Sequence, residues 1–151
     1  MEPAHQNAGS VHQHQRELWN EGDFSAIAGF HILTSELLCE AVDLHAGSTV
    51  LDVACGSGNT AIAAAHRGGD VTGLDIVPAL LDRAQERAAA DRLRIHFELG
   101  DAEHLPYPDR SFDVVLSTFG VMFAPDQVRA AAEMVRVCRP GGKIGMANWT
   151  P

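Results

Sequence analysis

The chain has 151 residues, 46% of them apolar and 21% charged, which is the balance of a globular protein with one core. With 20 acidic against 11 basic side chains and a formal charge of -9, no general field draws it to phosphate backbones or anionic lipid, so neither nucleic acid nor membrane is an expected partner. It holds no run of about 18 apolar residues, and its start, MEPAHQNAGSVHQHQ, lacks the apolar stretch of a signal peptide, which makes the cytoplasm the expected compartment.

Residues 1–15 read as a flexible polar tail. Its His5, His12 and His14 do not add up to a metal site, and no metal is expected. Residues 16–33 read as a short helix and loop broken at Gly22 and Gly29, and residues 34–151 as the folded domain. That domain opens with a helix capped by Thr34 or Ser35 and running to about Leu44, with Leu37, Leu38, Ala41 and Val42 as its apolar stripe.

Short apolar runs then alternate with amphipathic helices. Thr49 to Ala54 reads as a strand buried on both faces, Asn59 to Arg67 as an alanine-rich helix, and Val71 to Asp75 as a second strand. Pro78 sits where a first helical turn prefers proline, ahead of ALLDRAQERAAAD. On that helix Arg83 and Arg87, with Arg92 and Arg94 beyond it, alternate with Asp82, Glu86 and Asp91, the pattern of a solvated face. Arg94 to Leu99 gives a third strand and Phe112 to Ser117 a fourth. Pro125 opens a helix with Val128, Ala131, Val135 and Cys138 on one face, Arg139-Pro140-Gly141-Gly142 is a turn, and Lys143 to Asn148 is a fifth strand. Such alternation implies a doubly wound α/β fold, a mostly parallel Rossmann-like sheet of order 3-2-1-4-5 with helices on both faces. Cys39, Cys55 and Cys138 form no CxxC pair and read as buried reduced thiols.

In these sheets ligands lie at the carboxyl ends of the strands, so the residues just after each strand matter most. After the first strand, Gly56-Ser57-Gly58 allows a tight turn with close backbone approach to a ligand, ahead of a helix that presents free amides. That loop alone also satisfies the dinucleotide pattern Gly56-x-Gly58-x-x-Ala61. Asp52, an acid inside the first strand, suits a cofactor with ammonium and sulfonium charges better than one with a pyrophosphate. Asp75, ending the second strand, can accept from both hydroxyls of a ribose.

Taken in order, VLDVACGSGN, GLD, GDAEHLPYPDRSFDVVLS and RVCRPGGKIGMANW resemble the successive motifs of the class I S-adenosylmethionine-dependent methyltransferases, particularly the small-molecule group, over about residues 34 to 149. The resemblance implies S-adenosyl-L-methionine as cofactor, S-adenosyl-L-homocysteine as product and a small-molecule methyl acceptor. By the same likeness Gly56, Ser57 and Gly58 cradle the methionine and ribose, and Asp75 grips the ribose. Asp101 meets the adenine amino group between Gly100 and Ala102, whose backbone reaches the ring edge, and Ile76 packs on the adenine face. Thr118 and its neighbour Phe119 lie by the amino-acid part of the cofactor. From the segment of residues 16–33, Phe24 and Trp19 are expected to close over it. Phe119, Met122 and Phe123 either join the core or face the sulfonium or an apolar substrate, and His104 is expected as a partly exposed loop residue. No catalytic residue is assigned.

Family members add two strands after the fifth, which this chain lacks. A fragment of a longer protein is therefore expected, with Met146 to Trp149 an open edge through which two copies pair. The alternatives are a module that holds S-adenosylmethionine without catalysis, and a nicotinamide-dependent oxidoreductase, against which Asp52 and Asp101 speak.

Overall fold

The computed structural model describes residues 31–150. The tail of residues 1–15, most of the 16–33 segment, Phe24 and Trp19 lie outside the described residues. Five parallel strands form one sheet of order β3-β2-β1-β4-β5: β1 (Thr49–Val53), β2 (Asp70–Asp75), β3 (His96–Leu99), β4 (Phe112–Thr118) and β5 (Cys138–Ala147). Among the described residues four α-helices cover it: α1 (Ile32–Ala41), α2 (Asn59–His66), α3 (Pro78–Ala90) and α4 (Gln127–Val137). None of these helices is long and apolar enough to cross a membrane.

Alternation along the central strands divides the core into two layers. On one side Leu51, Val53 and Val115 pack with Met134, Ala130 and Val137 of α4. On the other, Val50, Val114 and Leu116 pack with Cys39 of α1 and Ala61 and Ala64 of α2. The small alanine side chains, buried from Ala61 to Ala64 apart from a trace of exposure at Ile62, let α2 lie close against the strands.

Three helix and strand expectations are corrected. Helix α1 begins at Ile32 behind His31, whose carbonyl accepts from Ser35 Oγ at 3.3 Å, and it ends at Ala41 rather than Leu44. Its inner face is Ser35, Cys39 and Val42 with Leu38 packed beside them, so Leu38 and Val42 of the expected stripe face the core while Leu37, 53% exposed, and Ala41 do not. The neighbouring helix decides this: Ser35 faces Thr60 of α2, and Glu36 pairs with Arg67 at the end of α2. Helix α4 buries Ala130, Met134 and Val137, whereas Val128 is 82% exposed and Val135 64% exposed, so only Cys138 of the expected face is buried. Asp126 caps α4 by accepting from Arg129 N at 2.9 Å, and Arg129, Glu133 and Arg136 bond to the 103–107 loop, which holds the helix in its rotation about its axis. Strand β3 starts at His96 instead of Arg94.

The Arg139-Pro140-Gly141-Gly142 turn is present but lies inside β5. Cys138 pairs with Phe112 and Lys143 with Val114, so four residues bulge out between two adjacent register positions. A Cβ on Gly142 would lie 2.7 Å from Asp113 O, too close for any side chain.

Because Val135 faces solvent, Val135→Lys is expected to change the stability of the chain by less than about 0.5 kcal/mol. Urea denaturation checks this. A loss above about 1.5 kcal/mol, as for a core valine, would restore the face read from sequence.

Candidate active site

The strand order reverses between β1 and β4, and there the turns leaving β1, β2 and β4 diverge around a cavity of about 360 Å³. The turn after β1 makes its floor. Ala54, Gly56 and Gly58 all take positive φ, at +56°, +55° and +87°, which swings the chain from strand into α2. Gly56 lines the cavity, and a Cβ built there meets nothing within 4 Å, so open ligand space lies above it. Gly58 caps α2 from behind the wall. A Cβ there would approach Ala84 Cβ to 3.0 Å in a backbone conformation that disfavours side chains, so its role is the turn rather than a contact surface. Ser57 lines the cavity while its backbone oxygen accepts from Arg87 Nη1 at 2.6 Å, which ties the turn to α3.

Asp52 lies on the cavity and is 1% exposed. Its Oδ2 accepts from Ala61 N at 2.9 Å, and its Oδ1 has no partner among the described residues. Burial pushes its pKa up to about 8, against the pull of the Ala61 amide and with a smaller push from Asp75. Asp75 ends β2 on the cavity wall. Its two oxygens accept from Gly56 N at 2.7 Å and Val77 N at 2.9 Å, which fixes the carboxylate while leaving each oxygen further lone-pair capacity. Burial raises its pKa as well, with the amides of Val77, Gly56 and Ile76 opposing.

Gly100, Asp101 and Ala102, beyond β3, and Ile76, beyond β2, line the far wall. Gly100 is packed so tightly on Leu74 that a Cβ would fall 2.5 Å from Leu74 Cδ1. Asp101 Oδ1 accepts from Glu103 N at 2.9 Å, closing a small turn. The loop that follows is clamped to α4: Arg136 donates to the carbonyls of Leu105 and Tyr107, and buried Glu103 accepts from Asp126 N at 2.8 Å. His104 is exposed, as expected, and sits 3.6 Å from Asp101.

Thr118, at the end of β4, lines the cavity beside Thr60, whose Oγ1 lies 2.8 Å from Thr118 Oγ1 and 3.0 Å from Ser35 Oγ. Phe119 follows with φ +55°, a left-handed conformation that costs a side-chain-bearing residue about 1 kcal/mol. It is held there by its own amide, which donates to Ala147 O at 2.8 Å, and by the indole of Trp149 stacked on its ring at 4.5 Å and 15°. His31 completes the group, 4.7 Å from the Phe119 ring and 5.4 Å from that of Trp149. Phe123 also lines the cavity and is not core, whereas Val121 between them is buried.

Every cofactor residue expected from sequence within the described chain is on or directly behind this cavity. His31, Ser35, Thr60 and Trp149 are also on it and were not anticipated. The local pattern around His31 and Trp149 contains no ligand motif, so only their arrival at one place could reveal them.

A doubly wound sheet with three carboxylates around the cavity at its switch point, a tight glycine turn and no Lys or Arg on the described wall defines an α/β domain of the Rossmann-like class with an acidic cleft. A methyltransferase domain family matches residues 50–142. The chain is 49% identical over 137 residues to an uncharacterised protein of Mycobacterium tuberculosis, covering 90% of this chain and 50% of that one. It is 39% identical over 142 residues to the demethylmenaquinone methyltransferase of Deinococcus radiodurans, covering 85% and 59% respectively. Among solved structures, the [4+2]-cyclase SpnF superposes with a TM-score of 0.72 at 31% identity over 76% of this chain and 43% of that one. The chain belongs to the class I S-adenosylmethionine-dependent methyltransferases, and it spans about half the length of the curated relatives it matches.

Proposed function

We propose that the chain forms the S-adenosylmethionine-binding part of a methyltransferase that acts on a small molecule. The observation that carries this reading is the buried Oδ1 of Asp52, unpartnered among the described residues, on a cavity whose described wall has no Lys or Arg. A pyrophosphate there would meet carboxylates and no cation, whereas a ligand bearing an ammonium and a sulfonium is attracted.

The donor set fits that cofactor. Asp52 and the turn after β1 would hold the amino-acid end, Asp75 the ribose hydroxyls, and Ile76, Gly100, Asp101 and Ala102 the adenine. When bound, the cofactor supplies a methyl group on a positively charged sulfur, open to in-line displacement by an acceptor atom. The part of the chain is alignment. Anchored carboxylates and a clamped loop hold their geometry before the ligand arrives, and fixed geometry can supply roughly 7–11 kcal/mol toward a two-reactant step. The hydroxyls of Thr60 and Thr118, 2.8 Å apart, line the same cavity.

Calorimetry with S-adenosylmethionine, S-adenosylhomocysteine and NAD side by side tests the reading. The first two are expected to bind and NAD is not. Binding of NAD alone would sink it. A methyl-transfer assay separates an enzyme from a module that only holds the cofactor.

Asp101→Asn is expected to weaken S-adenosylhomocysteine binding by less than about threefold, because an amide oxygen still accepts from the adenine amino group and from Glu103 N. Asp101→Leu loses both and is expected to weaken it about fivefold or more. Equal affinity of both variants and the parent chain, again by calorimetry, would remove Asp101 from the adenine site.

A further inference from the structure

We propose that His31, Phe119 and Trp149 form the methyl-acceptor subsite, which takes an uncharged flat ring bearing a hydroxyl, with the His31 imidazole receiving the hydroxyl proton. The proposal rests on the methyltransferase reading and names the substrate class of the same cavity.

Three residues separated by more than 85 positions at one end and 30 at the other meet at the mouth of the cavity, opposite the Asp75 and Asp101 wall. Phe119 and Trp149 stack nearly parallel, and Trp149 as a whole is 58% exposed, which leaves indole surface open beyond the stack. An exposed face of this kind, backed by a second ring, accepts another flat ring by offset stacking. The strained φ of Phe119 is kept by the stack and by the bond to Ala147 O, and such outliers concentrate at ligand sites. The absence of Lys and Arg from the described wall, together with three carboxylates on it, disfavours an acceptor that carries a carboxylate or phosphate.

The nature of the accepting group follows from what faces it. The titratable side chains sharing the cavity with His31 are Asp52 and Cys55 at the end of β1, Asp75 after β2 and Asp101 after β3. Asp52 and Asp75 are taken up by the amino-acid end and the ribose in the cofactor reading, Asp101 holds the turn at Glu103, and burial drives the Cys55 thiol well above its usual range. The described wall after β4, and Trp149 after β5, offer no titratable group. Imidazole exchanges protons near neutrality and is the common general base for a hydroxyl.

In the step, a lone pair on a His31 ring nitrogen takes the hydroxyl proton and the O–H pair stays on oxygen. An oxygen lone pair forms the new C–O bond as the C–S bond breaks, and its electrons go to the sulfonium sulfur. The products are a methyl ether, neutral S-adenosylhomocysteine thioether and an imidazolium that returns its proton to water.

The test uses the full chain and 4-methylumbelliferone, a flat phenol whose neutral and ionised forms absorb at different wavelengths, with and without saturating S-adenosylhomocysteine. The probe is expected to shift the His31 imidazole and Trp149 indole NMR signals. Its ionised fraction when bound at pH 7 is expected to be about tenfold higher on the parent chain than on His31→Phe. Trp149→Ala should weaken probe binding about tenfold, and Trp149→Phe, which keeps a flat ring, should recover most of that loss. Decahydro-2-naphthol, of similar size but not flat, should leave both signals in place. A probe that binds without moving either signal, or that ionises equally on His31→Phe, overturns the proposal. Calorimetry with S-adenosylhomocysteine is read separately: normal cofactor binding beside an indifferent probe removes this subsite alone, and no cofactor binding removes the reading beneath it.

Discussion

Asp75→Ala is expected to lower the affinity of the chain for S-adenosylhomocysteine by at least tenfold, about 1.4 kcal/mol. The carboxylate has two roles at once. It offers acceptors to two ribose hydroxyls, and it satisfies Gly56 N and Val77 N, which set the turn after β1 and the start of α3. Alanine removes the ligand contacts and leaves two largely buried amides without an acceptor, each at a cost of about 1–3 kcal/mol. Stability should therefore fall together with affinity. Asp75→Asn separates the effects: it keeps one oxygen acceptor, so it should hold more of the stability than alanine while still losing affinity. Calorimetry and urea denaturation of the two variants decide the matter. Unchanged affinity in a folded Asp75→Ala chain would take Asp75 out of the site.

The stability of the ligand-free chain is expected to fall as pH rises from about 5 to 8, and Asp52→Asn is expected to abolish much of that fall. Asp52 titrates near 3.8 in the unfolded chain and near 8 in the fold, because its buried carboxylate has one amide partner and an orphaned oxygen. Between those values the folded state holds the proton and the unfolded state does not, so raising the pH favours unfolding. The contribution is fully present below about pH 4 and lost as pH passes through 8. Asp75, also raised by burial, acts in the same direction. Asp43, Asp113 and Glu133 are lowered by their partners and act in the opposite sense, but below the ordinary carboxylate range. The window from pH 5 to 8 thus lies above the range in which those three act. With one pKa unit equal to about 1.4 kcal/mol, the gain of Asp52→Asn over the parent should grow by a few kcal/mol across it. Urea midpoints at pH 5 and 8 give the comparison, and parallel midpoints in the two chains would refute it. A cation seated against Asp52 would reverse the preference for the proton. Binding of S-adenosylmethionine near pH 7 should then release a proton, visible as a buffer-dependent heat.

Much of this molecule is legible in its residues alone. Four short apolar runs with helical patterns between them and a fifth after the Pro140-Gly141 turn announce a parallel sheet, because a strand buried on both faces needs apolar residues without interruption. Asp52 stands out for the same reason: an acid inside such a run has to answer to something other than packing. Gly56, Asp75 and Asp101 were readable because each follows its strand directly, and a doubly wound sheet brings all strand ends to one side. These properties are local in sequence, or are set by a topology that the alternation itself implies.

The faces of α1 and α4 were a different matter. Val128, Val135 and Leu37 are as apolar as the residues that displaced them, and periodicity cannot choose between two apolar stripes on one helix. The choice fell to contacts made elsewhere, the bonds of Arg129, Glu133 and Arg136 to the 103–107 loop for α4 and the Ser35–Thr60 and Glu36–Arg67 pairs for α1. His31 and Trp149 carry no local mark of a site. They meet Phe119 only because β4 and β5 are neighbours and α1 crosses beside them, so their shared place is a property of the assembled sheet. The sequence by itself determined the layers and the strand-end acids through hydrophobic spacing, which acts over a few residues. Only the tertiary structure decided which helix faces are buried and which aromatic rings meet, because those outcomes depend on residues that the chain keeps far apart until it folds.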